Sequence, residues 1–271
     1  MADEVTAPVY DMTFDEYHQR QMGELDPSRI SARAAECRPA NHFLFSNDTW
    51  SPQSYVGAAV VSMLDENPDN AQLTTWLTEL QGALCEGLEL PQALYLLPAS
   101  SFHQTVANTL SGPRYEKFVV DAYLKDDYPR LVQEALNAIK KPRLQKPIKM
   151  KMIGLSLFSN AVGMLGSFEA EEDYEAIVQF RSSFYADSTL QNLDVRMTRA
   201  FIGHVTLAYV ESDLDQASRT KLAQVVNSLN ESIKDSVHYF NIERVELRQY
   251  EHLAKFDKPE VEASYSFITG K

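Results

Sequence analysis

Two five-residue phrases in the chain carry residue types that can do chemistry. Residues 103–107 read His-Gln-Thr-Val-Ala and residues 204–208 read His-Val-Thr-Leu-Ala, so both fit H-x-T-x-A, 101 positions apart. Six histidines would meet a Thr two places on about 0.3 times by chance, so a matched pair exceeds expectation for so short a motif. Both phrases lie in strand-like surroundings, where side chains alternate between faces. That alternation predicts His103, Thr105 and Ala107 on one face, and His204, Thr206 and Ala208 on one face of the second strand. Phe102, Gln104, Val106 and Leu110, and likewise Phe201, Val205, Leu207 and Tyr209, then turn toward covering helices. A His and a Thr two residues apart are separated by about 6.6 Å along a strand. An imidazole and a hydroxyl can therefore address different oxygens of one phosphate. The plain alternative is that these are half-exposed residues of antiparallel strands, where Thr is common.

A pair of imidazoles suits general acid–base work without a metal. With an ordinary pKa of about 6.5, one ring can be neutral while the other is protonated. The neutral ring accepts a proton from water or a ribose hydroxyl, and the charged ring supplies one to the leaving oxygen. Thr105 and Thr206 would donate to non-bridging oxygens where charge must be stabilised. His103 as proton donor with His204 as base is one assignment, and the reverse is the other. No cofactor and no metal-ligand set is read from the sequence. His18, His42, His238 and His252 lack the Thr partner and pair with no Cys or acid at metal spacing. G-x-x-x-x-G-K-[ST], G-x-G-x-x-G and G-x-S-x-G are all missing, which removes P-loop, dinucleotide and hydrolase-elbow chemistry from consideration. Phe43, Phe45, Tyr55 and Tyr265 could stack on a base, although core packing is the default for such rings.

At these residues the sequence resembles the two-histidine (2H) phosphoesterase superfamily, which includes 2′,5′-RNA ligase-like proteins and cyclic nucleotide phosphodiesterases, and it looks closest to a poorly characterised bacterial subgroup. Members carry two apolar-H-x-[ST]-apolar motifs, one in each lobe of a pseudo-twofold α+β fold, facing each other across a cleft. Phe102-His103-Gln104-Thr105-Val106 fits the pattern, and Gly203-His204-Val205-Thr206-Leu207 fits except for the glycine before the histidine. The resemblance covers residues 54–268. It implies a hydrolase of 2′,3′-cyclic phosphates or related ribose phosphodiesters, working on a small nucleotide or an RNA terminus. The alternative is a module that binds a nucleotide or phosphoryl ligand in the same cleft without turning it over.

The elements that must position these residues follow from breakers and periodicity. Residues 1–53 read as an irregular extension broken at Pro8, Pro27, Pro39 and Pro52, with one helix over 14–21 capped by Thr13. Residues 54–64 are apolar and β-branched, as a buried strand is. Residues 70–86 form an amphipathic helix on Leu73, Leu77, Leu80 and Leu84, with Gly87 as its C-cap. Two strands divided near Pro98 follow over 93–110, then helical pieces over 115–141 split by Pro129. A hairpin over 148–158 and 162–168 turns at Ser159-Asn160. A helix over 171–185, a strand over 200–210 and a helix over 216–234 precede two closing strands over 239–250 and 261–268. The rhythm predicts an α+β fold of antiparallel pairs with helices packed on one face, and the resemblance implies two pseudo-symmetric lobes, each an antiparallel sheet with helices on its outer face, with a cleft between them. The expected division is 1–53 as extension and 54–271 as the bilobal domain, with lobes near 54–147 and 148–271.

Composition bounds the partners. The chain has 271 residues and a net charge of −13 from 25 basic and 38 acidic residues, ill suited to gripping duplex DNA or long RNA by its phosphates. One exception is Lys140, Lys141, Arg143, Lys146, Lys149 and Lys151, six cations without an acid in residues 140–151. That run could guide a phosphorylated ligand, or be a solvated linker. Apolar runs are too short to span a membrane. Met1–Tyr10 lacks a secretory pattern, and Cys37 and Cys85 are isolated thiols, so a cytoplasmic protein is expected.

Overall fold

The structure is a computed structural model that describes residues 12–90, 92–140 and 144–268. Met1–Tyr10, Lys141 and Arg143 lie outside the described residues. The chain opens with α1 (Phe14–Gly23), where Thr13 and Glu16 form a reciprocal capping box. Next comes α2 (Pro27–Glu36), capped by Asp26. Pro27 therefore begins a helix instead of breaking the chain, since the first helical position needs no N–H. The hairpin β1 (Phe43–Ser46) and β2 (Thr49–Pro52) follows. Its two turn residues, Asn47 and Asp48, both have positive φ, the conformation that tight hairpins require.

The remaining elements are β3 (Gly57–Met63), α3 (Ala71–Leu88), β4 (Leu94–Leu96), β5 (His103–Ser111), a short α4 (Pro113–Tyr115) and α5 (Tyr128–Ala138). They continue through β6 (Ile148–Leu157), β7 (Ala161–Phe168), α6 (Glu171–Tyr185), α7 (Ser188–Asn192), β8 (His204–Val210) and α8 (Gln216–Ile233). β9 (Tyr239–Ile242), β10 (Arg244–His252), β11 (Lys255–Asp257) and β12 (Ser264–Ser266) close the fold. The first large sheet runs β11-β10-β3-β5 with β12 beside β10, and the second runs β4-β8-β7-β6-β9. All pairings between these strands are antiparallel. The fold is α+β, as the alternation of elements implies.

The two sheets interleave along the chain. β4 precedes β5 in sequence yet pairs with β8, and β10 returns to pair with β3, so a cut at 147/148 does not separate the sheets. Residues 239–250, expected as one strand, break at Glu243 because β9 pairs with β6 while β10 pairs with β3. Nor are residues 13–36 a loose extension. Tyr17 and Ile30 are fully buried in the main core, and α2 packs along α8. The helix expected to end at Gly87 runs on to Leu88 and is capped by Glu89 in the left-handed region, φ 58°. Gly87 serves packing instead, because a Cβ there would come 2.9 Å from Cγ1 of Val225 on α8.

Candidate active site between the two sheets

His103 and His204 each begin a strand, β5 and β8, at the place where the two sheets meet. In both strands the register slips right after the threonine. Val61 pairs with Thr105 and Val60 with Ala107, so Val106 is extra; Gly163 pairs with Thr206 and Val162 with Ala208, so Leu207 is extra. Each motif thus carries a β-bulge, which exchanges the faces of the residues beyond it. This corrects the expected alternation. Ala107 and Ala208 are fully buried in the main core, while the half-buried Asn108 and Tyr209 follow the His/Thr face. The two bulge carbonyls are captured alike from buried helical side chains. Arg181 on α6 donates to the carbonyl of Val106 at 2.5 Å, and Gln81 on α3 to that of Leu207 at 2.6 Å. Such groups would each cost about 1–3 kcal/mol if buried unpaired.

The imidazoles repeat the same pattern. Nδ1 of His103 lies 2.7 Å from the carbonyl oxygen of Ser101, and Nδ1 of His204 lies 3.0 Å from that of Ile202. A carbonyl only accepts, so each Nδ1 carries the hydrogen and each Nε2 is left with its lone pair. Phe256 flanks His103 at 4.3 Å between ring centroids, and Phe158 flanks His204 at 5.0 Å. Burial drives both rings toward neutrality. For His103 it lowers the pKa below 6.5 against the support of the Ser101 carbonyl, and Arg248 lowers it further. For His204 burial brings the pKa down to about 4, opposed by the Ile202 carbonyl and aided by Arg199 and by His103 itself. The two histidines therefore sense each other's charge. Thr105 and Thr206 are half-buried beside them, and neither hydroxyl has a hydrogen-bond partner among the described residues.

The chain before His204 is held by the first helix. Gln21 donates to the carbonyls of Gly166 and Gly203 at 2.6 and 3.0 Å, Tyr17 donates to that of Gly166 at 2.9 Å, and Arg20 to that of Phe201. This explains why glycine interrupts the second motif. A Cβ on Gly203 would lie 2.6 Å from both the Gly166 carbonyl oxygen and the Tyr17 hydroxyl. From the other strand, Gln104 reaches across to the backbone at Ile202 and His204. Gln104, Gln81 and Arg181 are residues that motif reasoning missed. The available signal was a polar residue inside an otherwise apolar, buried segment.

A cavity of about 570 Å3 adjoins the His103 end of the first sheet. Its lining includes Met63, the cross-strand partner of His103. Glu66, Asp69, Glu243 and Glu246 line it against Arg244 and Lys258. Arg248, almost fully buried, pairs with Glu66 and Glu246. Burial works to raise Glu66, but hydrogen bonds with Glu246, Lys258 and Arg248 hold it down at about 2, whereas burial and the hydrogen bond with Glu66 raise Glu246.

The other candidates are engaged elsewhere. His18 faces the Ser167 hydroxyl at 3.1 Å, His42 packs against Tyr55 and Tyr209, His238 stacks on Trp76 at 4.1 Å, and His252 accepts from the Ala254 N–H. Phe43 stacks on Tyr95, Phe45 meets Trp50 edge-on, and Tyr265 is buried against Phe180. Of the basic run, Lys151 pairs with Glu169 at 2.9 Å and Lys149 lies over the Tyr239 ring. Cys37 and Cys85 are free thiols. Among the described residues no group of three or more His, Cys, Asp or Glu could hold a metal ion, and no helix is long and apolar enough to cross a membrane.

No protein-family model and no curated protein matches the chain. Among solved structures, it is similar to the conserved protein of unknown function ATU0111 from Agrobacterium tumefaciens str. C58, at 15% identity over 76% of this chain and 85% of that one, with a TM-score of 0.53. TT0787 of Thermus thermophilus matches at 16% identity over 78% of this chain and 94% of that one, with a TM-score of 0.41. At such identity the first likeness shows a shared fold and nothing about activity.

Proposed function

We propose that the chain is a metal-independent phosphodiesterase that opens 2′,3′-cyclic phosphates or related ribose phosphodiesters by two-histidine acid–base catalysis, as the resemblance to 2H phosphoesterases implies. The observation that carries the reading is the duplicated imidazole setting. Both rings give Nδ1–H to the carbonyl two residues back, and both keep Nε2 for a ligand. In the reaction, neutral His204 takes a proton from water as the water oxygen bonds to phosphorus. Imidazolium His103 returns a proton to the ribose oxygen as its bond to phosphorus breaks, leaving a phosphomonoester. The Thr105 and Thr206 hydroxyls donate to the non-bridging oxygens. His204, which burial holds neutral down to about 4, is given the base role.

The surroundings favour a small substrate. Carboxylates outnumber cations in the cavity beside His103, and the chain is acidic overall, so a ligand with one phosphate is accepted more readily than a polyanion. The test is hydrolysis of a panel of 2′,3′-cyclic nucleotides, 2′,5′-linked oligonucleotides and cyclic-phosphate-ended RNA by wild type, His103→Ala and His204→Ala. Turnover by wild type and a loss of about 10²–10⁴-fold in each variant are expected. Binding of a panel member without turnover would replace this reading with a nucleotide-binding module.

A further inference from the structure

Gln104 is the residue between the first motif's His and Thr, and it is fully buried. Its side chain points away from the His/Thr face and ends on the other motif. Nε2 donates to the carbonyl of Ile202 at 3.1 Å and to that of its neighbour Thr105 at 2.7 Å, while Oε1 accepts from the backbone N–H of His204 at 2.6 Å. With two carbonyls on one side and an N–H on the other, only this orientation of the amide satisfies all three contacts. The Ile202 carbonyl is also the one that receives the Nδ1 hydrogen of His204. Both of its lone pairs are therefore used, one by the imidazole and one by Gln104.

We infer that Gln104 is the positioning residue of His204: from the opposite strand it fixes the backbone on which that imidazole stands, shares the carbonyl that receives its Nδ1 hydrogen and so presents Nε2 to the phosphate. The inference deepens the phosphodiesterase reading and rests on it for its chemical meaning. Two physical effects carry it. A carbonyl and an N–H held on either side of Ile202–His204 leave the ring's anchor no freedom to rotate away. A second donor on the Ile202 oxygen also makes that oxygen a poorer acceptor for a charged imidazolium, which favours the neutral base. The arrangement is one-sided. The matching position in the second motif is Val205, which has no amide to offer His103, and the Ser101 carbonyl accepts from His103 at a shorter 2.7 Å. A glutamine adjacent in sequence to one histidine thus governs the other, 100 residues away.

The test is a 15N titration of the histidine rings in the full chain, comparing wild type with Gln104→Met, which keeps the length and removes the amide. In wild type, His204 is expected as the Nδ1–H tautomer. In Gln104→Met the Ile202 oxygen, freed of its second donor, should hold the Nδ1 hydrogen more strongly, so His204 keeps that tautomer and titrates at least about one pH unit higher, a tenfold gain in proton affinity. His103, although next to the substitution, should keep its wild-type titration. A His204 that keeps its wild-type titration would overturn the inference. So would a His103 that shifts as far as His204, because that marks general loosening. Should Gln104→Met fail to fold, Gln104→Glu keeps the acceptor for the His204 N–H and removes the donor to Ile202. The same upward shift is then expected, enlarged by the added charge, and no shift refutes the idea. Turnover is not needed for this readout. A wild type inactive on every phosphodiester would end the phosphodiesterase reading while the titration still judges Gln104.

Discussion

An ordinary histidine gains its proton as pH falls through 6.5, but His204 is held neutral down to about 4 because charging it would strand an ion in a desolvated place. Between those values the unfolded chain binds a proton that the folded chain refuses. Folding stability contributed by this group is therefore complete above about pH 6.5 and is lost as pH falls toward 4. The size follows from the two affinities: about 2 kcal/mol has gone by pH 5 and about 3 kcal/mol by pH 4. His204→Gln removes the titration and keeps a polar side chain of similar reach. Urea unfolding at 25 °C should then show wild type losing about 2 kcal/mol more than the variant between pH 8 and pH 5. Carboxylates and the histidines outside the site titrate in both proteins and cancel in that difference. Parallel stability profiles would refute the reasoning, since His204 would then be as well solvated folded as unfolded.

Two further outcomes follow from the same site. Thr105→Val and Thr206→Val should each lower kcat on a 2′,3′-cyclic nucleotide by about 10²-fold and leave the melting temperature unchanged, because neither hydroxyl has a hydrogen-bond partner among the described residues. Arg181→Leu strands the buried Val106 carbonyl and takes a donor from the part-buried Arg199 carbonyl, and Gln81→Leu takes a donor from the buried Leu97 and Leu207 carbonyls, of which Leu207 keeps the Leu97 N–H. Each should cost about 1–3 kcal/mol in urea unfolding, and no measurable loss would show that water takes their place.

What the sequence revealed divides along physical lines. Apolar runs, helical periodicity and breakers place β3, α3, β5, β6, β7, α6, β8 and α8: β3 and β7 are buried along their whole length while α3 and α8 bury one stripe, and the twin H-x-T phrases lie on the strands expected of them. Ala107 and Ala208 went to the wrong face because a bulge inserts one residue without a marker in composition. In sequence Pro27 reads as a breaker, because a proline that starts a helix and one that interrupts a chain differ only in their context. The path of β10 back to β3, and the reach of Gln104 across to Ile202, depend on contacts between residues far apart in sequence, which local pattern does not encode. Gly203 belongs with these: its reason is the hydroxyl of Tyr17, more than 180 positions earlier.

The account's central claim is that two imidazoles of opposite protonation act on one phosphorus. The most direct measurement is kcat/KM for a 2′,3′-cyclic nucleotide between pH 4 and pH 8.5. Because both rings lie below the ordinary histidine value, the account predicts a bell whose maximum falls on the acid side of pH 6.5, with the acid limb set by His204 and the alkaline limb by His103. A profile that is flat across this range, or one that keeps rising above pH 7, would contradict it.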